Sequence, residues 1–146
     1  SSHYNQELDV LISNGTIVEI AENIQTKADK VIEAENLFLS PGWVDIFVTG
    51  NDPGFEYKDD LTSTSYSAAK GGFTHVFLTP NTHPVVQNKS LVQYVADKQT
   101  QYPVQLHPIG AITKNTDGKE LTEMVDMIGI QYTICLYGCV DLRSIR

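Results

Sequence analysis

A cluster of acidic and polar side chains follows a short apolar segment in the stretch PGWVDIFVTGNDPGFEYKDD, residues 41–60. Segment 43–48 has the composition of a buried strand, Gly50 ends it, and Pro53-Gly54 predicts a turn in the loop that follows. Polar groups placed just after a strand could bind a substrate or a metal ion, or they could form a solvated acidic loop. The cluster comprises Asp45, Thr49, Asn51, Asp52, Glu56, Asp59 and Asp60.

The histidines at positions 75, 83 and 107 are further candidates for chemistry. His75 falls inside a predicted strand, where a hydrogen-bonded core role is favoured over metal ligation. His83 is interpreted as a loop histidine, and a structural role is favoured for His107 at a strand end. A makeshift metal site from Asp45, Asp52 and His107 is conceivable, but the pattern favours Asp45 as an acceptor of local hydrogen bonds.

The composition restricts the partners of this chain. It has 146 residues, 41% hydrophobic content and a net charge of −8, which argues against nucleic acid or an anionic membrane as a partner. The two cysteines, Cys135 and Cys139, make neither a disulfide framework nor a zinc site by themselves. We therefore expect a cytoplasmic protein. The N-terminus carries no signal-peptide pattern and no methionine, so we expect a processed chain or part of a longer product.

The elements that position the cluster begin with a small β-layer in residues 1–40. Segments 8–12 and 16–20 are β-prone and are joined by Asn14-Gly15, which predicts a tight hairpin. Segments 30–34 and 36–39 add one or two short strands. From residue 41 onward, strands are predicted at 43–48, 74–78, 104–107 and 130–136, with helices at 61–70, 90–99 and 119–128. Asn88 is the expected cap of the second helix, and Asp117 with Glu120 forms a capping box for the third.

Alternating strands and helices predict α/β architecture with a parallel sheet. The pattern contains about three βα units plus a fourth strand, whereas a closed (β/α)₈ barrel needs roughly 250 residues. Residues 41–146 therefore correspond to part of such a barrel, preceded by the β-layer. Its outer strands would offer unpaired backbone groups, so we expect dimerisation, a partner chain, or a longer protein.

Several motifs of this chain resemble those of the dihydroorotases, which are cyclic amidohydrolases. The family signature PGxVDxHxHxREPGxExKED is matched at Pro41-Gly42, Val44-Asp45, Pro53-Gly54, Glu56, Lys58 and Asp60. The motifs GGFT at 71–74, PNTHP at 80–84 and HPIGAIT at 107–113 also resemble the family. The resemblance covers residues 8–129, after which the sequence departs from the family. It implies a TIM-type barrel with a small β-sandwich at residues 1–40.

The departures fall where the family's chemistry lies. Phe47 and Thr49 occupy the positions of the two metal-binding histidines, Asn51 replaces the arginine that binds the substrate carboxylate, and Asp52 replaces a glutamate. The family uses zinc to hydrolyse dihydroorotate to N-carbamoyl-L-aspartate, and the resemblance assigns Asn81 to the substrate carboxylate. With those ligands replaced, we expect no metal site, no cofactor and no catalytic residue in this chain. Asn81, and more weakly Asn51, remain candidates for substrate binding.

Three functions agree with this sequence. The first is a non-catalytic dihydroorotase-like protein of pyrimidine biosynthesis. The resemblance implies an aspartate transcarbamoylase-like partner, and the open edge of the sheet predicts a homodimer as the alternative. The second is a fragment of an active zinc cyclic amidohydrolase, completed by residues or a chain not present here. The third is a small-molecule binder that retains the pocket without the chemistry, for which Asn81 is the main support.

Overall fold

The computed structural model describes residues 6–130 and the strand at 134–137. The chain divides into two compact units, Ser1–Leu39 and Ser40–Arg146. The predictions that involve the side chains of Cys135 and Cys139 lie outside the described residues. In the part of the chain that is described, no helix has the length and apolar character needed to cross a bilayer.

The first unit contains the predicted hairpin. Strands β1 (Asp9–Ser13) and β2 (Thr16–Ala21) pair antiparallel around Asn14 and Gly15. These two residues have φ values of 50° and 74°, and such positive angles give the turn a twist that matches its strands. The hairpin prediction is confirmed.

The prediction of strands at 30–34 and 36–39 is wrong. Asn36 has a φ of 57° and lies in a turn, which interrupts any extended segment there. Ile32 and Phe38 are 71% and 86% exposed, and the first unit's sheet contains β1 and β2 alone among the residues described. A β-prone composition forms a strand only where a neighbouring strand completes the ladder.

The second unit is built on four parallel strands in the order β3-β4-β5-β6. The strands are β3 (Trp43–Thr49), β4 (Phe73–Thr79), β5 (Gln105–Ala111) and β6 (Ile134–Tyr137). The helices are α1 (Leu61–Lys70), α2 (Lys89–Asp97) and α3 (Met124–Ile128). The α/β class and the parallel sheet are thus confirmed, whereas the closed barrel and the β-sandwich stay predictions.

One face of this sheet packs against the helices. Its side chains alternate along each strand, so Val76 and Leu106, which are paired in register, belong to the same buried cluster. That cluster consists of Leu61, Val76, Leu78, Val95, Val104 and Leu106. The opposite face, called the distal face below, receives the intervening residues of β4 and β5, including His75, Phe77 and His107. Function that depends on these histidines must therefore involve the distal face.

The first turns of α1 and α2 are capped by side chains. Asp60 accepts a hydrogen bond from the Ser63 amide at the start of α1, and the Ser63 hydroxyl bonds back to the Asp60 amide. Asn88 accepts from the Leu91 amide at 3.1 Å, as predicted for α2. Such caps satisfy backbone donors that a helix leaves unpaired in its first turn.

The predicted helix at 119–128 is shorter, and its capping box is wrong. Thr113 and Leu121 form an antiparallel bridge, and Thr122 donates its amide to the Ile112 carbonyl and its hydroxyl to the Ala111 carbonyl. Residues up to 123 are consequently held as a return loop against the end of β5. Asp117 accepts instead from the Lys119 amide, and Glu120 pairs with Lys114. The predicted apolar face of this helix is also wrong, because Met127 is buried whereas Val125 and Ile128 are 84% and 57% exposed. The Thr122 hydroxyl, bonded to the Ala111 carbonyl, takes the first half of the segment out of the helix.

Candidate functional site

Strand β3 contains an irregularity at the first of the two positions where the sequence departs from the histidine motif. Between Asp45 and Val48, which both pair with β4, Ile46 and Phe47 stand opposite Phe77 alone. An extra residue leaves a backbone amide without its ladder partner. The Asp45 carboxylate accepts that hydrogen bond from the Phe47 amide at 3.0 Å. Asp45 therefore has the structural role expected from the sequence.

The residues at the histidine positions offer no metal ligands. Phe47 is 56% exposed, and Thr49 is also exposed at the end of β3. A zinc site needs three or four nitrogen, sulfur or carboxylate ligands around one point. Within residues 6–130 and 134–137, no three His, Cys, Asp or Glu side chains are grouped in that way. Phe47 and Thr49 thus do not supply the two imidazoles that the family signature has at these positions.

The loop after β3 consists of consecutive tight turns. The Phe55 amide donates to the Asn51 carbonyl at 2.7 Å, and the Lys58 amide donates to the Phe55 carbonyl at 2.9 Å. Glu56 accepts from the Gly54 amide at 2.8 Å, and this hydrogen bond lowers the pKa of Glu56. The backbone of Asn51 and the carboxylate of Glu56 are therefore committed to the shape of the loop.

The end of the same loop forms the beginning of α1. Asp60 accepts from the Ser63 amide at 2.7 Å, which lowers the pKa of Asp60. Asp59 accepts from the Thr64 hydroxyl at 2.8 Å and is also in contact with the Ser63 hydroxyl. Both carboxylates thus stabilise the start of α1.

Asp52 joins this loop to α2 through a partly buried polar cluster that the sequence analysis missed. Asp52 is 5% exposed. Its carboxylate accepts a hydrogen bond from the Tyr94 hydroxyl at 2.7 Å, and the Lys98 ammonium lies 3.6 Å away. Burial and the hydrogen bond to Asp52 raise the pKa of Tyr94, so the phenol remains a proton donor. Burial opposes the charge of Lys98, yet its hydrogen bond to Tyr94 and the Asp52 carboxylate raise its pKa. The i, i+4 spacing of Tyr94 and Lys98 was the sequence signal that could have predicted their contact on one face of α2.

The loop after β4 is locked against the loop after β3. The His83 amide donates to the Pro53 carbonyl at 3.0 Å. Gly54, with a φ of 102°, lies so close that a Cβ atom there would be 2.0 Å from the His83 carbonyl oxygen. The Thr82 hydroxyl donates to the Pro84 carbonyl at 2.7 Å and fixes the turn from within. His83 is a loop residue, as predicted.

The two asparagines proposed to bind substrate lie at the same edge of the sheet. Thr49 and Thr79 are paired in register at the ends of β3 and β4, and Asn51 and Asn81 each follow two residues later. Asn51 is half-buried and Asn81 is exposed. The turn around Asn81 is held by Thr82, whose amide donates to the Pro80 carbonyl at 2.8 Å. Two amide side chains at this edge could hydrogen-bond a polar ligand.

His75 and His107 are brought together on the distal face. The His75 Nδ1 atom lies 2.9 Å from the His107 Nε2 atom, and the Phe77 ring stacks on His107 at a centroid distance of 4.6 Å. Burial and the neighbouring His75 lower the pKa of His107. Because Asp45 and Asp52 are engaged elsewhere, the structure does not assemble the makeshift metal site considered from the sequence.

Comparison with known proteins agrees with the motifs. Residues 36–133, more than half of the chain, match the family described as dihydro-orotase-like. The chain is 43% identical over 124 residues to a dihydroorotase from Syntrophotalea carbinolica, covering 84% of this chain and 29% of that relative. It is 42% identical over 124 residues to a dihydroorotase from Acetivibrio thermocellus, with the same coverage.

A third relative, a dihydroorotase from Aquifex aeolicus, is 36% identical over 141 residues, which are 96% of this chain and 32% of the relative. The chain thus spans about a third or less of the length of these proteins. The matched motifs lie on the parallel sheet and on the loops at the ends of its strands. On these grounds the chain belongs to the dihydroorotase-like family.

Proposed function

We propose that this chain is a dihydroorotase-like protein of pyrimidine biosynthesis that does not itself hydrolyse dihydroorotate. The observation that carries the proposal is the presence of Phe47 and Thr49 where the family signature has histidines. Phenylalanine has no ligating atom, and a neutral hydroxyl is a poor zinc ligand. Asp45, in strand β3, accepts a hydrogen bond from the Phe47 amide. Without zinc, the water that attacks the ring amide of dihydroorotate is not activated.

The test is metal analysis together with an activity assay on the whole chain. The protein is purified after zinc supplementation, zinc per chain is measured by mass spectrometry, and hydrolysis of dihydroorotate is followed in the same sample. The dihydroorotase of Aquifex aeolicus serves as the positive control. We expect no stoichiometric zinc and no turnover. Stoichiometric zinc with turnover in the unaltered chain would overturn the proposal.

A double variant examines the reason for inactivity. Phe47→His with Thr49→His restores the imidazoles of the signature, whereas Val48→His places one imidazole on the helix-facing side of β3. We expect the double variant to retain more zinc through gel filtration than the parent or the Val48→His control. Equal zinc retention in all three proteins would show that positions 47 and 49 are not where the metal ligands belong.

A second candidate function is a piece of an active zinc cyclic amidohydrolase. It is favoured by the length of the curated relatives, of which this chain covers about a third or less. Under this alternative, the remaining ligands come from a chain or residues outside the sequence. Co-expression of this chain with the remaining part of a dihydroorotase should then give a complex that contains zinc and hydrolyses dihydroorotate. Zinc-free complexes without turnover would reject it.

The role proposed for the inactive protein is binding, in the cytoplasm, to another copy or to an aspartate transcarbamoylase-like partner. Exposed apolar side chains on β3, including Trp43, Ile46 and Phe47, support an association of this kind. Molar mass by light scattering, with and without a purified aspartate transcarbamoylase, tests it. A monomer in both samples would contradict the proposed partners.

Asn81 and Asn51 are proposed to retain contact with a substrate-like carboxylate. Their position at the ends of neighbouring parallel strands supports this assignment. We expect dihydroorotate or N-carbamoyl-aspartate to raise the melting temperature of the parent, and Asn81→Ala to remove most of that shift. Asn115→Ala, at another loop, is the matched control. No shift in the parent would remove this part of the proposal.

A further inference from the structure

A buried hydroxyl group without a hydrogen bond lies at the end of strand β4. Thr79, the last residue of that strand, is 7% exposed, and its Oγ1 atom has no hydrogen-bond partner in the part of the chain that the structure describes. The next residue does not supply one, because Pro80 has no amide hydrogen and its carbonyl already accepts from the Thr82 and Val86 amides. A buried hydroxyl without a partner costs free energy, so its presence in a folded chain requires an explanation.

The unpaired hydroxyl of Thr79 is an exception in this protein. Within residues 6–130 and 134–137, each of the other buried threonines uses its hydroxyl in a hydrogen bond. These threonines are Thr64, Thr82, Thr113 and Thr122. The Ser65 hydroxyl, inside α1, is also buried and unpaired. Of these two unpaired hydroxyls, the one of Thr79 lies at the edge of the sheet where substrate binding is proposed.

The position of Thr79 follows from the register of β3 and β4. Thr79 is paired with Thr49, and the two candidate asparagines each follow these threonines by two positions. Leu78 belongs to the buried cluster beneath the helices, and Val48 packs against that cluster. Because side chains alternate along a strand, the threonines that come next lie on the distal face. Thr79 and Thr49 thus place two hydroxyl-bearing side chains on one face, just before the asparagines.

Rotation of the Thr79 side chain can present its hydroxyl to a ligand. Oγ1 is covered, so the remaining exposure of the residue belongs to its other atoms. A threonine hydroxyl and methyl group are similar in size, and one staggered step about χ1 exchanges their places. In Thr82 such a step would break the hydrogen bond to the Pro84 carbonyl, whereas in Thr79 it breaks none among the described residues. The exchange also buries a methyl group where the unpaired oxygen now lies.

The ligand group that suits these side chains is uncharged and both donates and accepts hydrogen bonds. A hydroxyl has one donor and two acceptor sites, and a side-chain amide has both kinds as well. An ionised carboxylate only accepts, so it leaves the acceptor sites of a hydroxyl unused. An amide or a ureide carries N–H groups beside a carbonyl and can use both functions.

We propose that Thr79 is a ligand-binding residue whose hydroxyl bonds the ureide or amide group of a small molecule held at the C-terminal ends of β3 and β4. The inference rests on the proposed function, because Asn51 and Asn81 are assigned there to the carboxylate of such a ligand. Thr79 adds the contact that would distinguish a ureide from a simple dicarboxylate. The unpaired hydroxyl then costs stability in the free chain and acquires its partner in the complex.

The first measurement needs no ligand. Thr79→Val replaces the hydroxyl by a methyl group, and removal of an unpaired buried hydroxyl should raise the melting temperature of the free chain by roughly 4 °C. Ser65→Ala, at the other unpaired hydroxyl, should also raise it. Thr122→Val loses the hydrogen bond to the Ala111 carbonyl and should lower it. A lower melting temperature in Thr79→Val would show that this hydroxyl has a structural partner and would overturn the proposal.

Three probes then separate the ureide contact from the carboxylate contact. N-carbamoyl-L-aspartate carries a ureide and two carboxylates, succinate carries two carboxylates alone, and dihydrouracil carries a ureide alone. We expect Thr79→Val to raise the dissociation constants of the two ureide probes about tenfold, measured by titration calorimetry, and to leave that of succinate unchanged. Ser65→Ala is the matched control and should leave all three dissociation constants unchanged.

Failure of this inference can be distinguished from failure of the proposed substrate contact. If N-carbamoyl-L-aspartate and succinate bind and Thr79→Val weakens neither, or weakens both equally, the asparagine contacts remain and the role of Thr79 is refuted. If dihydrouracil binds through Thr79 and succinate does not bind, the hydroxyl contact holds and the carboxylate contact is wrong. If the unaltered chain binds none of the three probes, both contacts are wrong.

Discussion

Replacement of Gly54 by alanine is expected to disrupt the contact between the loops that follow β3 and β4. Gly54 has a φ of 102°, and an added Cβ atom would lie 2.0 Å from the His83 carbonyl oxygen and 2.8 Å from the His83 carbonyl carbon. Because contacts of a Cβ atom below 3.0 Å are essentially never observed, the two loops must separate by roughly 1 Å. The hydrogen bond from the His83 amide to the Pro53 carbonyl, now 3.0 Å, would then be lost.

The cost has three contributions. An L-residue at positive φ costs about 1 kcal/mol, a lost backbone hydrogen bond about 1 kcal/mol, and the displaced backbone about 1 kcal/mol more. The free energy of unfolding should therefore fall by about 3 kcal/mol. For a domain of roughly 100 residues, this corresponds to a melting temperature lower by roughly 12 °C.

Gly72→Ala is the control for this experiment. Gly72 also has a positive φ, 81°, but its added Cβ atom would meet only the Trp43 Cδ1 atom, at an ordinary 3.6 Å. We expect about 1 kcal/mol of destabilisation, measured by urea unfolding and by thermal melting under circular dichroism. Equal losses in Gly54→Ala and Gly72→Ala would refute the reasoning, since the loop contact would then contribute nothing beyond the backbone strain.

Three further substitutions test the polar cluster, the helix cap and the core. Asp60→Asn keeps a capping oxygen but cannot titrate. The hydrogen bond from the Ser63 amide in the first turn of α1 lowers the pKa of Asp60. The ionised carboxylate therefore stabilises the folded chain fully above a pH of about 4, and this stabilisation is lost as the pH falls through the lowered pKa. The melting temperature of the variant should change less than that of the parent between pH 5 and pH 3, and identical profiles would contradict this assignment. Tyr94→Phe leaves the buried Asp52 carboxylate without its phenol donor and should cost about 2 kcal/mol in urea unfolding, whereas Tyr66→Phe, at a side chain 54% exposed, should cost almost nothing. Leu61→Ala removes a side chain 1% exposed in the core and should cost about 3 kcal/mol; a loss under about 1 kcal/mol would show that the core is misassigned.

The strands and helices of the second unit could be predicted because their signals are local. Apolar strands alternate with helices, the first residues of α1 and α2 follow a capping side chain, and the cap Asn88 was identifiable from position alone. Two segments failed for nonlocal reasons. Residues 30–39 have strand composition without a partner strand, and the first half of 119–128 is drawn into a return loop by the Thr122 hydroxyl, which bonds to Ala111 eleven residues earlier.

The candidate site was predictable in location but only partly in role. The sequence identified the loop after β3, and it placed Asn51 and Asn81 at strand ends, where the structure has them. It did not indicate that Asp52 is buried against Tyr94, because that contact spans 42 residues of sequence and depends on how α2 packs on the sheet. The His75–His107 pair likewise requires the register of β4 against β5, which no single segment encodes.

The carboxylates of the acidic cluster have structural roles that do not depend on the family's metal chemistry. Each of its carboxylates accepts a hydrogen bond from nearby backbone or side chains: Asp45 from the Phe47 amide, Asp52 from Tyr94, Glu56 from Gly54, Asp59 from Thr64 and Asp60 from Ser63. A strand irregularity, tight turns and a helix start create these donors, and unpaired donors would cost free energy wherever water is excluded. The carboxylates of the signature therefore retain a structural reason to be present after the imidazoles are gone. In this chain the acidic residues of the motif are thus explained by the strand, loop and helix start that they stabilise, and their presence alone does not predict a metal site.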